Sequence, residues 1–325
     1  MKLRVGFLGA GWIGRNRMEA MLATGAIEAA AVCDPSPEFL AEAKRLAPDA
    51  RDVPDLAAML ELGLDGIVIA TPSAMHAEQT IRALESGAAV FCQKPLGRTA
   101  DEVRAAIEAA RAADRLLAVD LSYRHTAGMR AIAEQVRSGA LGRVFAADLV
   151  FHNAYGPDKP WFYDPALSGG GCMIDLGVHL IDLALWTLGF PQVDKVAGSL
   201  LARGRPLGPD QVEDYATARF EGGGVDVRLA CSWRLHAGKD AVIEAAFYGT
   251  EGGAALRNVD GSFYDFTAEK FTGTRSEMLV APPDAWGGRA AAAWAEQLAV
   301  SRSYDPAAAE LLGSAEVLDR IYGST

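Results

Sequence analysis

The sequence predicts an α/β first half, a doubly wound parallel sheet, joined to an α+β second half with a large, mostly antiparallel open sheet. Three observations carry that expectation. From Leu3 to Leu121 short β-type runs alternate with alanine-rich helical stretches, the pattern of a parallel sheet covered by helices on both faces. A glycine-rich hexapeptide, Gly9-Ala10-Gly11-Trp12-Ile13-Gly14, separates the first run from the first helical stretch. Beyond Leu121, β-type segments bounded by glycine, proline and charged turns dominate. For 325 residues, at about 150 per domain, two domains are expected, 1–121 and 122–325, and a 50% hydrophobic content suffices for two cores.

In chain order, the expected strands of the first domain are Leu3 to Leu8, Ile27 to Cys33, Gly66 to Ala70, Ala88 to Cys92 and Leu116 to Leu121. Helical spacing covers Ile13 to Ala23, Glu38 to Leu46, Ala74 to Ser86 and Asp101 to Ala113, with Thr99 as a cap and Glu102 three residues on. In the second domain a helix near Ala127 to Ser138 ends at Gly139. Strands follow at Phe145 to Phe151, Val193 to Leu201, Tyr215 to Phe220, Val225 to Trp233, Ala241 to Tyr248 and Ala254 to Leu256. A long helix, Met173 to Leu188, interrupts them. Ala290 to Val300 and Ala307 to Ile321 close the chain as helices that can pack back on the first domain.

Composition excludes several classes. Acidic residues outnumber basic ones, 42 to 31, and a net charge of −11 disfavours a nucleic-acid backbone or an anionic membrane as partner. The charge-free run Leu183 to Val193 is shorter than the about 20 apolar residues a bilayer span needs. Glycines within Val5 to Gly14, followed at once by Arg15 and Arg17, argue against a signal peptide. Cys33, Cys92, Cys172 and Cys231 lie far apart with no C-x-x-C pair, so neither a disulfide framework nor a zinc knuckle is expected, and a cytoplasmic location fits.

The hexapeptide lies between an expected strand and an expected helix, which is the context of a dinucleotide-binding Rossmann turn. Gly9 permits the tight turn, Gly11 lets backbone amides approach a pyrophosphate, and Gly14 allows helix and strand to pack closely, with Trp12 and Ile13 between them. Amides at the helix start hold the negative charge. Asp34 ends the second strand, where a carboxylate accepts hydrogen bonds from the adenosine ribose and repels a 2′-phosphate. NAD is therefore favoured, with NADP possible; a plain Asp-Pro turn is the alternative. Thr71 and Pro72 follow another strand, and His76 lies one turn into the next helix, either touching the cofactor or merely lining that helix behind a Ser73 cap.

Gln93-Lys94-Pro95 comes straight off a strand, so Lys94 is presented at the edge that carries the glycine turn. In the long helix, Asp175, His179 and Asp182 fall at i, i+4 and i+7 on one face, a polar stripe that is costly in an apolar helix without a use. Histidine exchanges protons near neutral pH, a carboxylate orients it, and lysine stabilises a developing alkoxide. Hydride transfer at an alcohol carbon needs those parts. His179 is read as general base or acid, Lys94 as electrostatic and proton-relay partner, and Asp175 as orienter or substrate ligand. Asp182 is read as a buried anchor. Glycines 169 to 171 are read as allowing substrate or cofactor close to the helix start. A metal on Asp175 and His179 lacks further ligands at a suitable spacing. A purely structural polar network is the other reading.

These residues resemble the glucose-fructose oxidoreductase, inositol dehydrogenase and MocA family of NAD(P)-dependent oxidoreductases. The likeness runs through the glycine turn, Thr71-Pro72 with His76, Lys94-Pro95, the segment with Asp175, Gly177, His179 and Asp182, Tyr248-Gly249-Thr250, and the ending Ile321-Tyr322-Gly323-Ser324. It implies a Rossmann domain before an open antiparallel sheet, a catalytic set of Lys94, Asp175 and His179, homodimers or homotetramers, and sugar, cyclitol or polyol substrates. Tyr123, Arg124, His152 and Trp161, with Tyr155, Tyr163 and His236, are candidate substrate walls, and Arg124 or Lys159 a candidate site for a substrate anion. The family usually has glutamate where Gln93 stands. A glycosidase using NAD for transient oxidation and a non-catalytic dinucleotide-binding regulator are the rival functions.

Overall fold

The computed structural model describes residues 2–208 and 210–323, so Ser324 of the closing motif lies outside the described residues. The chain forms two compact units, Met1–Ser122 with Gly287–Leu312, and Tyr123–Trp286 with Gly313–Thr325.

The first unit runs β1 (Leu3–Leu8), α1 (Trp12–Ala23), β2 (Ile27–Cys33), α2 (Pro37–Leu46), β3 (Arg51–Asp52), α3 (Leu56–Leu60), β4 (Gly66–Ile69), α4 (Ser73–Glu85), β5 (Ala89–Cys92), α5 (Ala100–Ala113) and β6 (Leu117–Val119). All strand pairings are parallel, in the order β3-β2-β1-β4-β5-β6. The strands are apolar throughout β4 and β5 because helices cover both faces. Strand order reverses beside β1 and β4, the crevice where such sheets bind ligands. Thr99 caps α5 by accepting from Glu102 N at 3.2 Å, while Glu102 reaches back to Arg98 N at 2.7 Å. Neither β3 nor α3 was expected: one is two exposed residues at the sheet edge, the other a little over one turn.

The second unit contains α6 (Ala127–Arg137), β7 (Val144–Asn153), α7 (Pro165–Ser168), α8 (Val178–Leu188), β8 (Val193–Ala202), β9 (Arg205–Pro206), β10 (Tyr215–Gly222), β11 (Val225–Ser232), β12 (Ala241–Gly249), β13 (Gly253–Asn258), β14 (Phe266–Thr272) and β15 (Arg275–Val280). Its strands pair in the order β15-β14-β13-β12-β7-β11-β10-β8-β9, antiparallel except for β7 against β11. The sheet's inner face packs on α6 and α8 through a core that includes Leu149, Phe151, Ile181, Val227 and Phe247. The outer face is open. Sequence patterning missed β14 and β15, an edge hairpin whose last strand buries no residue.

The expected helix from Met173 to Leu188 requires correction. Met173–Gly177 is a π-helical turn, and α8 begins only at Val178. The helical stretch Pro165–Leu188 has the length and hydropathy of a membrane span, but 83% of its apolar window is buried inside the protein, as a core helix is.

The chain then returns to the first unit with α9 (Arg289–Val300), which packs on α1, before α10 (Leu311–Tyr322). Trp294 of α9 is buried against Phe91, ring centroids 5.8 Å apart, and Gly66 leaves room for the indole, since a Cβ there would lie 2.8 Å from it. Trp294→Ala is expected to cost about 3–5 kcal/mol, the usual scale for emptying a buried tryptophan site. Urea unfolding checks this, and a loss below about 1 kcal/mol would contradict the packing described.

Candidate active site

Gly9, Asp34, Thr71, Gln93 and Asp120 each follow a parallel strand of the first unit, so all stand at its carboxyl edge. Gly9 adopts φ +92° and donates to the Cys33 carbonyl at 2.8 Å; a Cβ on it would press into the Ala70 carbonyl at 2.5 Å. A Cβ on Gly14 would overlap the Gly9 oxygen, whereas one on Gly11 would meet nothing within 4 Å. The open side at Gly11, with no side-chain cap on α1, fits a pyrophosphate held by backbone amides. Trp12 is 62% exposed on the same first turn.

Asp34 accepts from Ala10 N at 2.6 Å and Ser36 N at 2.8 Å, which fixes its carboxylate beside the turn and leaves lone pairs for ribose hydroxyls. Thr71 donates through Oγ1 to Gln79 at 2.6 Å. Pro72, not Ser73, precedes α4, and no side chain caps that helix.

His76 acts as a brace between two loops. Its ring nitrogens lie 2.7 Å from the Pro95 and Thr71 carbonyl oxygens, tying the loop after β4 to the residue after Lys94. Burial pulls its pKa below the usual value, against those two hydrogen bonds. The Lys94–Pro95 peptide is cis.

Behind Lys94 lies a network that sequence reasoning missed. Asp120 Oδ2 accepts from Gln93 Nε2 at 2.7 Å and from Arg17 Nε at 2.6 Å, and all three residues are buried. Asp120 was legible only as an acid at the end of an apolar strand. It explains Gln93: a glutamate there would put two carboxylates face to face, whereas an amide donates.

In the second unit, Asp175 Oδ2 accepts from the Trp233 indole at 3.1 Å. His179 is buried within a ring of aromatics, its centroid 5.0 Å from Tyr123 and 6.4 Å from Phe151. Asp182 is the buried anchor expected, and the partner it binds is Arg124, whose Nε donates to it at 2.7 Å and whose Nη2 donates to its other oxygen.

Two substrate-wall assignments, Arg124 and His152, are thereby corrected. Arg124 commits its fork to Asp182 and stacks 5.1 Å from Phe190. Tyr123 is buried in the core, packed edge-on against His179 and Phe151. His152 alternates with Phe151 along β7, so it projects from the opposite sheet face, where it bonds Ser232 Oγ at 2.7 Å and stacks on Tyr215. Burial lowers its pKa. Trp161 keeps a partly exposed ring stacked 3.8 Å on Phe162, which packs edge-on to Trp233. Tyr155 donates to Asp240, Tyr163 donates to the Pro157 carbonyl at 2.9 Å, and His236 is exposed.

The glycines before the π-turn also have another explanation. Gly171 N and Met173 N donate to the buried carboxylate of Glu213 at 3.0 and 2.8 Å, and Cys172 N donates to its backbone carbonyl at 2.9 Å. A Cβ on Gly171 would overlap that carbonyl, and one on Gly170 the Tyr322 hydroxyl, so these glycines admit protein rather than ligand. Burial pushes the Glu213 carboxyl up, against hydrogen bonds from Met173, Tyr322 and Gly171 that hold it down. No motif announces Glu213 or Trp233.

Gln93→Glu is expected to lower stability by roughly 1–3 kcal/mol near neutral pH, the cost of keeping one of two facing carboxyls protonated. Adding Asp120→Asn should recover part of it in thermal unfolding, and a single variant as stable as the parent would refute the pairing.

Comparison with known proteins places these features. Residues 3–121 match the model described as an oxidoreductase family with an NAD-binding Rossmann fold, and residues 129–255 the GFO/IDH/MocA C-terminal domain. The chain is 30% identical to D-glucoside 3-dehydrogenase of Escherichia coli over 85% of its own length and 81% of that protein. It is 27% identical to inositol 2-dehydrogenase of Rhizobium meliloti, covering 79% of this chain and 76% of the relative. Among solved structures, levoglucosan dehydrogenase in complex with NADH superposes with a TM-score of 0.85 at 22% identity, over 100% of this chain and 97% of that one. The likeness to that structure is one of fold.

Proposed function

The chain belongs to the GFO/IDH/MocA family of oxidoreductases, and from that premise we propose how its own residues serve an NAD(P)-dependent dehydrogenase acting on CH–OH groups of sugars or cyclitols. The observation that carries the assignment is the second unit's helix, where Asp175 is held by Trp233 and His179 is enclosed by aromatic rings. The glycine turn and Asp34 would hold a dinucleotide, which when bound would accept or supply the hydride. His179 removes the hydroxyl proton during oxidation and returns it during reduction, and its aromatic surround excludes water from the exchange. Asp175 orients the imidazole or holds a substrate hydroxyl, and Trp233 keeps its carboxylate in place. Lys94 supplies positive charge at the substrate oxygen. Trp161, backed by Phe162, offers a flat apolar surface for a sugar ring.

NAD is the preferred cofactor in this reading, because Asp34, fixed beside the glycine turn, would present a negative charge to the adenosine ribose and repel a 2′-phosphate. Free, buried thiols at all four cysteines support a cytoplasmic location. A second copy of the chain is the occupant proposed for the open sheet face. A shallow depression of about 570 Å³ there is lined by small side chains, such as Ala197, Ser199 and Ala230, between the Arg228–Asp148 and Arg219–Asp226 ion pairs. A flat sheet of small residues rimmed by both charge signs suits self-association.

A panel of sugars, inositols and sugar acids, followed through NADH formation, tests the function. On the substrate it identifies, Lys94→Ala and His179→Ala should each reduce turnover by about a hundredfold or more while NADH binding is retained. Full turnover in either variant would remove that residue's role. Light scattering should give a mass that is a multiple of 34.4 kDa, and a monomer alone would refute self-association.

A further inference from the structure

We propose that Glu213 is a positioning residue for Asp175 and His179, held in place by Tyr322 of the chain's last helix. This inference rests on the reading that those two residues act in the reaction.

Helix starts leave N–H groups without intrahelical partners, and here three successive ones, at 171, 172 and 173, lie in a buried segment where water cannot serve them. Glu213 takes all three, two through its side chain and one through its backbone oxygen. Tyr322 donates its hydroxyl to the same carboxylate oxygen at 2.8 Å. A carboxylate at a helix N-terminus is favoured by the dipole, and its charge-assisted bonds are shorter and more directional than neutral ones. Buried as it is, that charge is costly, so shape alone does not account for it; a glutamine would fill the same space.

The clamp holds the residues from which the π-turn starts. Asp175 N closes on the Gly171 carbonyl at 3.1 Å, so Asp175 is set one turn from the clamped amide and His179 one turn beyond that. A π-turn changes the angle between successive side chains relative to an α-helix, and its starting point decides where both groups aim. On the far side, Cys172 packs against Cys231, Sγ atoms 3.9 Å apart, and Cys231 leads into Trp233, the donor to Asp175. Glu213 thus controls Asp175 through its own helix, and Tyr322 joins the last helix to that control.

The test compares Glu213→Gln, Tyr322→Phe, His179→Ala and the Glu213→Gln/His179→Ala double variant by kcat, KM, NADH dissociation constant and melting temperature. Glu213→Gln should lower kcat about tenfold or more and Tyr322→Phe about threefold. NADH affinity should stay within about twofold of the parent in both. In the His179→Ala background, Glu213→Gln should have almost no further effect on residual turnover, since it acts through the same group. Unchanged kcat with a lowered melting temperature, or additive losses in the double variant, would overturn the proposal. If Glu213→Gln does not fold, Tyr322→Phe decides: an unchanged kcat rejects the clamp's role, and a reduced kcat with intact NADH binding supports it. Full turnover of His179→Ala would instead overturn the underlying reading of the site.

Discussion

The unmet hydrogen-bonding capacity of a buried backbone organises the second unit. Three consecutive N–H groups at the head of an apolar helix must find acceptors in a core, and one glutamate supplies them. Other features follow from that requirement. Gly170 and Gly171 are bare because the acceptors come so close, and Cys172 is pressed against Cys231. The last helix ends over the clamp because Tyr322 completes the carboxylate's coordination. The helix carries acid and imidazole inward because its head is fixed by polar bonds and its middle by the Arg124–Asp182 fork.

A comparable economy operates at the carboxyl edge of the parallel sheet. There the first unit holds the buried carboxylate of Asp120, shares it between Arg17 and Gln93, and so places a donating amide next to Lys94. His76 does similar work with carbonyl oxygens, joining two loops that leave neighbouring strands. In both cases a polar side chain at the sheet's carboxyl edge serves backbone or neighbour, and the loop that carries Lys94 is held in a defined place.

The parallel sheet was legible because its central strands β4 and β5 are buried throughout and read as unbroken apolar runs, and its helices because their apolar spacing and the Thr99 cap are local signals. The glycine turn was legible for the same reason. Lys94, Asp175, His179 and Asp182 stood out as polar groups in apolar or turn contexts. The edge hairpin β14 and β15 did not stand out, since strands that bury little carry no alternation. Glu213, Asp120 and Trp233 were hidden for a different reason: each works through a partner 27 to 58 residues away in sequence. His152 and Arg124 misled because residue type suggests an affinity, whereas strand parity and a buried acid decide where the group points.

The first unit is assembled from two stretches that are far apart in the chain, residues 1–122 and 287–312. Ribosomal synthesis proceeds from the N-terminus, so the first six strands emerge with no indole to fill the space beside Phe91 and Gly66. That part of the core stays unfilled until the whole intervening unit has been translated. The core of the first half is therefore completed only by a tryptophan that follows the whole second sheet in the order of synthesis.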